Sequence, residues 1–220
     1  MYGMQYIQQT IVGIDGSEAR FFGYVADNSE EMEPDRIRPA ILILPGGGYA
    51  MTSDREAEPV ALQFLAKGFA ATSVGDEDIR EQGGIDPDAV RPNALMLSYP
   101  VITAGKYAHR GSFQCLLGDQ AHNQALLDKF SIEKHIDAKT PPVFVWHTMT
   151  DDAVPVENTL MLIQACRAAG VSIEAHLFPE GSHGLSLANA ETAGNGFYAH
   201  IVECVQCWPD LAEAWLRRLF

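Results

Sequence analysis

Apolar positions along this chain fall into short unbroken runs that alternate with longer, interrupted stripes. Residues 4–12 and 20–27 carry β-branched and aromatic side chains, with Phe21-Phe22-Gly23-Tyr24-Val25 the densest stretch. They read as two strands joined by the turn Asp15-Gly16-Ser17. A polar stretch from Asp27 to Arg38 then leads into Ala40-Ile41-Leu42-Ile43-Leu44, apolar at every position. Such a run predicts a strand covered on both faces, as in a parallel sheet. After Pro45-Gly46-Gly47-Gly48-Tyr49 a helix is expected. Ser53 or Asp54 would cap its start, acids at Glu56 and Glu58 would sit in its first turn, and Gly68 would end it. Residues 69–74 are the next strand.

The alternation resumes at Leu95-Met96-Leu97-Ser98-Tyr99, a strand that stops at Pro100. Residues 142–147 form another. A helix over about 156–169 follows, with Leu160, Ile163 and Cys166 on one face and Gly170 at its end. Val171 to Phe178 is again a strand, and Leu211 to Phe220 a closing helix. This repetition with short loops predicts an α/β fold, a largely parallel sheet with helices on both faces, in one domain spanning residues 1–220. The chain holds no internal repeat.

Composition narrows the choice of partners. The 220 residues are 47% hydrophobic and carry a formal charge of −14. A surface of that sign repels a nucleic-acid backbone or an anionic membrane, so neither is expected as a partner. No run approaches the roughly twenty apolar residues of a membrane span. Residues 1–9 lack the basic and apolar regions of a secretory signal, which predicts a cytoplasmic address. Cys204-Val-Gln-Cys207, with His200 before it, lacks a fourth ligand and a second paired motif, so no metal or cofactor is expected.

Ligands of such sheets bind beyond the carboxyl ends of the strands, and three segments fall there. Gly46-Gly47-Gly48 follows the first buried strand. Glycines at that place let backbone N–H groups face a site with no side chain in the way, as donors to an oxygen that becomes negative. Thr148 to Pro155 contains Asp151-Asp152, and an acid there can orient a histidine. Pro179-Glu180-Gly181-Ser182-His183-Gly184-Leu185 follows the last strand, and its glycine-flanked His183 suits a general base. His109, His122, His135, His147, His176 and His200 lack such a setting and read as surface or packing residues.

An acid and then a histidine after successive C-terminal strands is the triad order of α/β-hydrolases. The chain resembles the branch of that family containing acetyl esterases, acetyl-xylan esterases and feruloyl-type esterases. The stretches that carry the resemblance are Pro45–Tyr49, Ser53–Ala61, Leu97–Ile102, Trp146–Asn158 and Gly181–Leu185. The resemblance implies a serine-type hydrolase of small acyl esters, with acetyl on a sugar or xylan fragment as the substrate. It assigns the acid to Asp151 rather than Asp152, the base to His183, and the oxyanion donors to the N–H groups of Gly47 and Gly48. It also suggests Lys106 to Phe113 for the pocket rim, where a plain surface loop reads equally well.

One part of the pattern is missing. The family's nucleophile sits in G-x-S-x-G on a strand-to-helix turn, and none of the ten serines here has glycines at both flanking positions. Residues 75–92 have room for one short crossover, a helix at 76–82 ended by Gly83-Gly84. A strand, an elbow and the helix behind it need far more. The central nucleophile strand is therefore read as deleted near Val74-Gly75. A true deletion, an omitted internal segment, a remodelled, catalytically inactive binding protein and a non-functional fragment all stay open at this point.

Overall fold

The structure is a computed structural model that describes residues 3–13, 16, 18–74, 91–194 and 198–220, with side chains 73 and 74 outside that description. The predicted helix at 76–82 and parts of the turn at 15–17 lie outside the described residues. Two compact units result.

The first unit holds a four-stranded sheet in the order β1-β2-β4-β3, from β1 (Met4–Val12), β2 (Glu18–Ala26), β3 (Ala40–Ile43) and β4 (Ala70–Val74). β1, β2 and β4 pair antiparallel, whereas β3 runs parallel to β4. Helix α1 (Glu58–Ala66) buries Val60, Ala61 and Phe64, and Tyr24, Ala61 and Ala71 pack together at its contact with the sheet.

Two expectations fail here. β3 is the edge of its sheet among the described residues, so Leu42 is 58% exposed and Leu44 beyond it 71%. Its apolar run asks for a neighbour on the side away from β4, and none is there among the described residues. Nor does Ser53 cap α1. A 3-10 turn at Asp54–Glu56 intervenes, and α1 starts at Glu58 with Pro59 in its first turn, where a missing N–H costs nothing. Glu56 instead reaches back, its carboxylate accepting the N–H of Gly46 at 2.8 Å.

The second unit comprises Gly47–Met51 and Pro92–Leu216. Its sheet is parallel throughout, in the order β5-β6-β7, from β5 (Leu95–Ser98), β6 (Val143–Thr148) and β7 (Ile173–Phe178). β6 lies in the middle and all six of its residues are buried, as its apolar run predicts. Each fully buried Val or Phe there contributes about 1.5–3 kcal/mol over an exposed one.

Helices α2 (Arg110–Leu117), α3 (Gln124–Lys129), α4 (Glu157–Ala169) and α5 (Trp208–Leu219) complete the regular elements. α4 ends at Gly170 in the left-handed conformation, as expected. Its buried face follows the expected stripe only at Cys166. Asn158, Thr159, Leu162 and Cys166 are buried, whereas Leu160 is 37% exposed.

The two polar members of that face have partners. Asn158 Oδ1 accepts the N–H groups of Ile102 and Thr103 at 2.9 and 3.0 Å, and its Nδ2 donates to the carbonyls of Tyr107 and Pro155 at 2.8 and 3.0 Å. A buried amide with all four positions used fastens the 102–107 loop to α4. Helix α5 opens with Trp208-Pro209, three residues before the expected start, and buries Trp208, Ala212, Trp215 and Leu216.

Candidate active site

The loop after β6 folds around Asp151. One carboxylate oxygen, Oδ1, accepts the N–H groups of Ala153 at 3.0 Å and Val154 at 2.8 Å, a local turn that aims the other oxygen away from the loop. That oxygen, Oδ2, lies 2.8 Å from His183 Nδ1. A carboxylate can only accept, so Nδ1 carries the proton and Nε2 keeps its lone pair free for a proton from elsewhere.

The two expected site residues, 32 positions apart, are thus brought together. Asp152 has a separate task, since its Oδ1 accepts the backbone N–H of His183 at 3.2 Å. The loops are stitched further at Gly181. Its carbonyl accepts from Thr148 Oγ1 at 2.7 Å and Thr150 Oγ1 at 3.2 Å, and its N–H donates to Thr150 Oγ1 at 2.9 Å. Gly181 has φ +139° and a Cβ there would meet Leu185 at 2.7 Å, so this crossing requires glycine.

Tyr99 and His147 complete the seat, and the residue pattern assigned no role in it to either. The ring of Tyr99 meets the His183 imidazole edge-on, centroids 4.9 Å apart, and packs on Trp146 at 4.8 Å. Its hydroxyl accepts the N–H of Ser186 at 3.1 Å, tying the ring to the chain just past the histidine loop. His147 is fully buried, so the packing role expected of it is partly right, yet its Nε2 lies 3.2 Å from Asp151 Oδ2. The sign available in sequence was its place at the end of a buried strand, four residues before the acid.

Burial alone would raise the carboxyl of Asp151. Hydrogen bonds from His147 and His183, the charge on His183 and the Val154 N–H overcome that and hold it well below the usual carboxylate range. Asp151 is therefore a buried anion, its side chain fully shielded, whereas the side chain of His183 is 34% exposed.

Gly47 and Gly48 belong to the same unit. The backbone turns back on itself there, with Ala50 and Met51 N–H groups donating to Gly47 O at 3.1 and 3.3 Å. A Cβ on Gly47 would fall 1.7 Å from Met51 O, and Gly48 and Tyr49 both have φ near +60°. Among the described residues the N–H groups of Gly47 and Gly48 have no hydrogen-bond partner.

Behind Gly48 stands Ser112, 3.5 Å from where a Cβ would be. Ser112 Oγ donates to His109 Nδ1 at 2.9 Å, and the same nitrogen accepts the Ser112 N–H at 3.3 Å. Residues 106–113 are thus part loop and part helix, with His109 capping α2. The C-x-x-C pair consists of two exposed free thiols.

A parallel sheet whose adjacent strands are followed by loops carrying an aspartate and a histidine, hydrogen-bonded to each other, places this protein among the α/β-hydrolases. More narrowly, the chain belongs to the prolyl oligopeptidase family, whose model matches residues 91–206. It is 31% identical to an acetylxylan esterase of Xylanibacter ruminicola over 66% of this chain and 40% of that protein. It is 28% identical to endo-1,4-beta-xylanase B of Butyrivibrio fibrisolvens over 77% of this chain and 36% of that protein. The chain therefore spans two-fifths or less of the length of these relatives.

Among solved structures, the α/β-hydrolase MGS-M1 from a Medee basin deep-sea metagenome library superposes with a TM-score of 0.74 at 31% identity, covering 99% of this chain and 98% of that one. The xylanase alignment runs over 230 positions yet takes in 77% of 220 residues, about 169, so about 60 positions of that relative face no residue here. The esterase alignment, 194 positions against 66% of the chain, about 145, leaves about 50.

Proposed function

We propose that this chain is the acid–base half of a serine-type carboxylic ester hydrolase for small acyl esters, acetyl groups on sugar or xylan fragments above all. The hydrogen bond between His183 Nδ1 and Asp151 Oδ2 carries the reading. In the proposed reaction a serine hydroxyl attacks the ester carbonyl while His183 Nε2 takes its proton. Buried, ionised Asp151 stabilises the resulting imidazolium and holds its orientation. The N–H groups of Gly47 and Gly48 receive the oxygen that turns negative. His183 then returns the proton to the departing alcohol, and water repeats the sequence to release the acid. The acetylxylan esterase relative supports the choice of acyl group.

The serine itself belongs, in this reading, to a segment of about 50–60 residues that the chain lacks after Val74. Four observations support a missing segment, two of which, the absent motif and the relatives' length, have no position of their own. No G-x-S-x-G is present, β3 exposes apolar side chains at an unpaired edge among the described residues, the family match begins at residue 91, and the relatives carry the extra length.

The test is hydrolysis of p-nitrophenyl acetate by two purified proteins. One is the 24.1 kDa chain and the other carries the relative's extra segment inserted after Val74. The first is expected to be inactive and the second active, with activity lost in His183→Ala and Asp151→Ala. Turnover by the 24.1 kDa chain that vanishes in His183→Ala would reveal a nucleophile among its own residues. A folded but inactive insertion protein would instead favour the inactive, ligand-binding reading.

A further inference from the structure

Most contacts to Asp151 come from loops. Ala153 and Val154 belong to the same turn, and His183 to the loop after β7. His147 is the exception, because it stands on β6, the central and fully buried strand. Its Nε2 faces two acceptors, Asp151 Oδ2 at 3.2 Å and the carbonyl of Val154 at 3.0 Å. With two acceptors in front of it, Nε2 must carry a proton, shared between them. Its other nitrogen, Nδ1, lies 2.8 Å from Oγ1 of Thr159, which is fully buried on α4. In the neutral ring Nδ1 is then the acceptor, and the threonine hydroxyl donates to it. The opposite tautomer would set a bare lone pair against a carbonyl and a carboxylate, with no water able to intervene.

We infer that His147 is a positioning residue, whose Nε2–H, imposed by the two acceptors it faces and with the ring seated by Thr159, registers the Asp151 carboxylate to the sheet and so sets the direction of its bond to His183. The inference deepens the hydrolase reading and rests on it for the catalytic consequence. The geometric part stands without turnover. Oδ2 is shared between two histidines, one rigid and one on a loop. Removing the rigid donor leaves the carboxylate oriented only by its own turn.

The experiment is NMR on the uniformly 15N-labelled 220-residue chain. Long-range 1H–15N spectra read the tautomer of His147, and the downfield proton of His183 Nδ1–H reports its bond to Asp151, assigned by its loss in Asp151→Asn. Expected are the Nε2–H tautomer of His147 and a downfield proton that is lost or displaced in His147→Phe. His147→Gln, which keeps a donor near Nε2, should retain it. Thr159→Val, of nearly the same shape, removes the hydroxyl that seats the ring, so it should keep the Nε2–H tautomer that the two acceptors impose and displace the same proton signal.

A folded His147→Phe protein with that proton unmoved would overturn the inference, as would an Nδ1–H tautomer in the unaltered chain. If His147→Phe does not fold, Thr159→Val decides, and an unmoved His183 proton there overturns the inference equally. These signals need no nucleophile. A failure of esterase activity in the insertion protein, with the proton still responsive to His147, would therefore sink the hydrolase reading alone.

Discussion

Asp151 concentrates more hydrogen-bond donors than any loop turn requires, and that concentration has a measurable acid signature. Its carboxyl is depressed in the folded chain, so its contribution to stability is present above the unfolded carboxyl's ordinary value of about 3.9 and is lost as pH falls below it. Asp151→Asn places an NH2 group among donors and should cost about 2–4 kcal/mol at pH 5, below the ordinary range of histidine. At pH 3 the gap between the two proteins should narrow by about 1 kcal/mol, since the unaltered carboxylate is then losing its advantage. Urea unfolding of both proteins at the two pH values checks this, and a gap that widens in acid would contradict it. The choice of Asp151 over Asp152 was legible only through the family pattern, because two adjacent acids on a loop are equivalent by composition. His147 was legible only as a packing residue at the end of a buried strand, since a histidine in an apolar strand looks the same whether it packs or positions.

Strands proved easier to foresee than the faces of helices. β6 and β3 present the same kind of apolar run, and β6 is buried on both sides as that run predicts. The expected face of α4 held at Cys166 and failed at Leu160, because hydrophobicity cannot identify a polar side chain that is buried with every bond made. Asn158 is the example, and it makes the next prediction. Asn158→Asp turns its two donors toward Tyr107 and Pro155 carbonyls into acceptors while keeping its shape. It should lower stability by about 2–4 kcal/mol, whereas exposed Gln164 on the same helix should tolerate alanine within about 0.5 kcal/mol. Thermal melts of the two variants side by side would test it, and equal melting temperatures would deny Asn158 its fastening role.

For the whole molecule, the open question is what a chain does with an apolar strand edge. Leu42 and Leu44 are exposed on or just beyond β3, whose outer edge has no partner among the described residues. An uncovered edge of this composition recruits other strands. The 220-residue chain should therefore self-associate as its concentration rises and bind a hydrophobic dye. The protein with the extra segment inserted after Val74 should do both less. Sedimentation of the two proteins at matched concentrations gives the answer, and two monomers of equal dye binding would mean that β3 is covered by other means. The general architecture was readable because strand and helix patterns alternate. The absence of a central strand was read from the missing G-x-S-x-G, whereas which strand its absence leaves at an edge was not, since local patterning records only which faces want burial.

Among the described residues, the contacts that orient His183 lie within residues 92–216, downstream of Val74, after which the proposed reading puts the missing segment. Heredity can treat such a site as two separable modules. On the proposed reading, a lineage that loses the nucleophile segment keeps the Asp151–His183 pair assembled. Regaining chemistry would then take one recombination that reinserts a strand and turn, with no need to evolve the acid–base pair a second time.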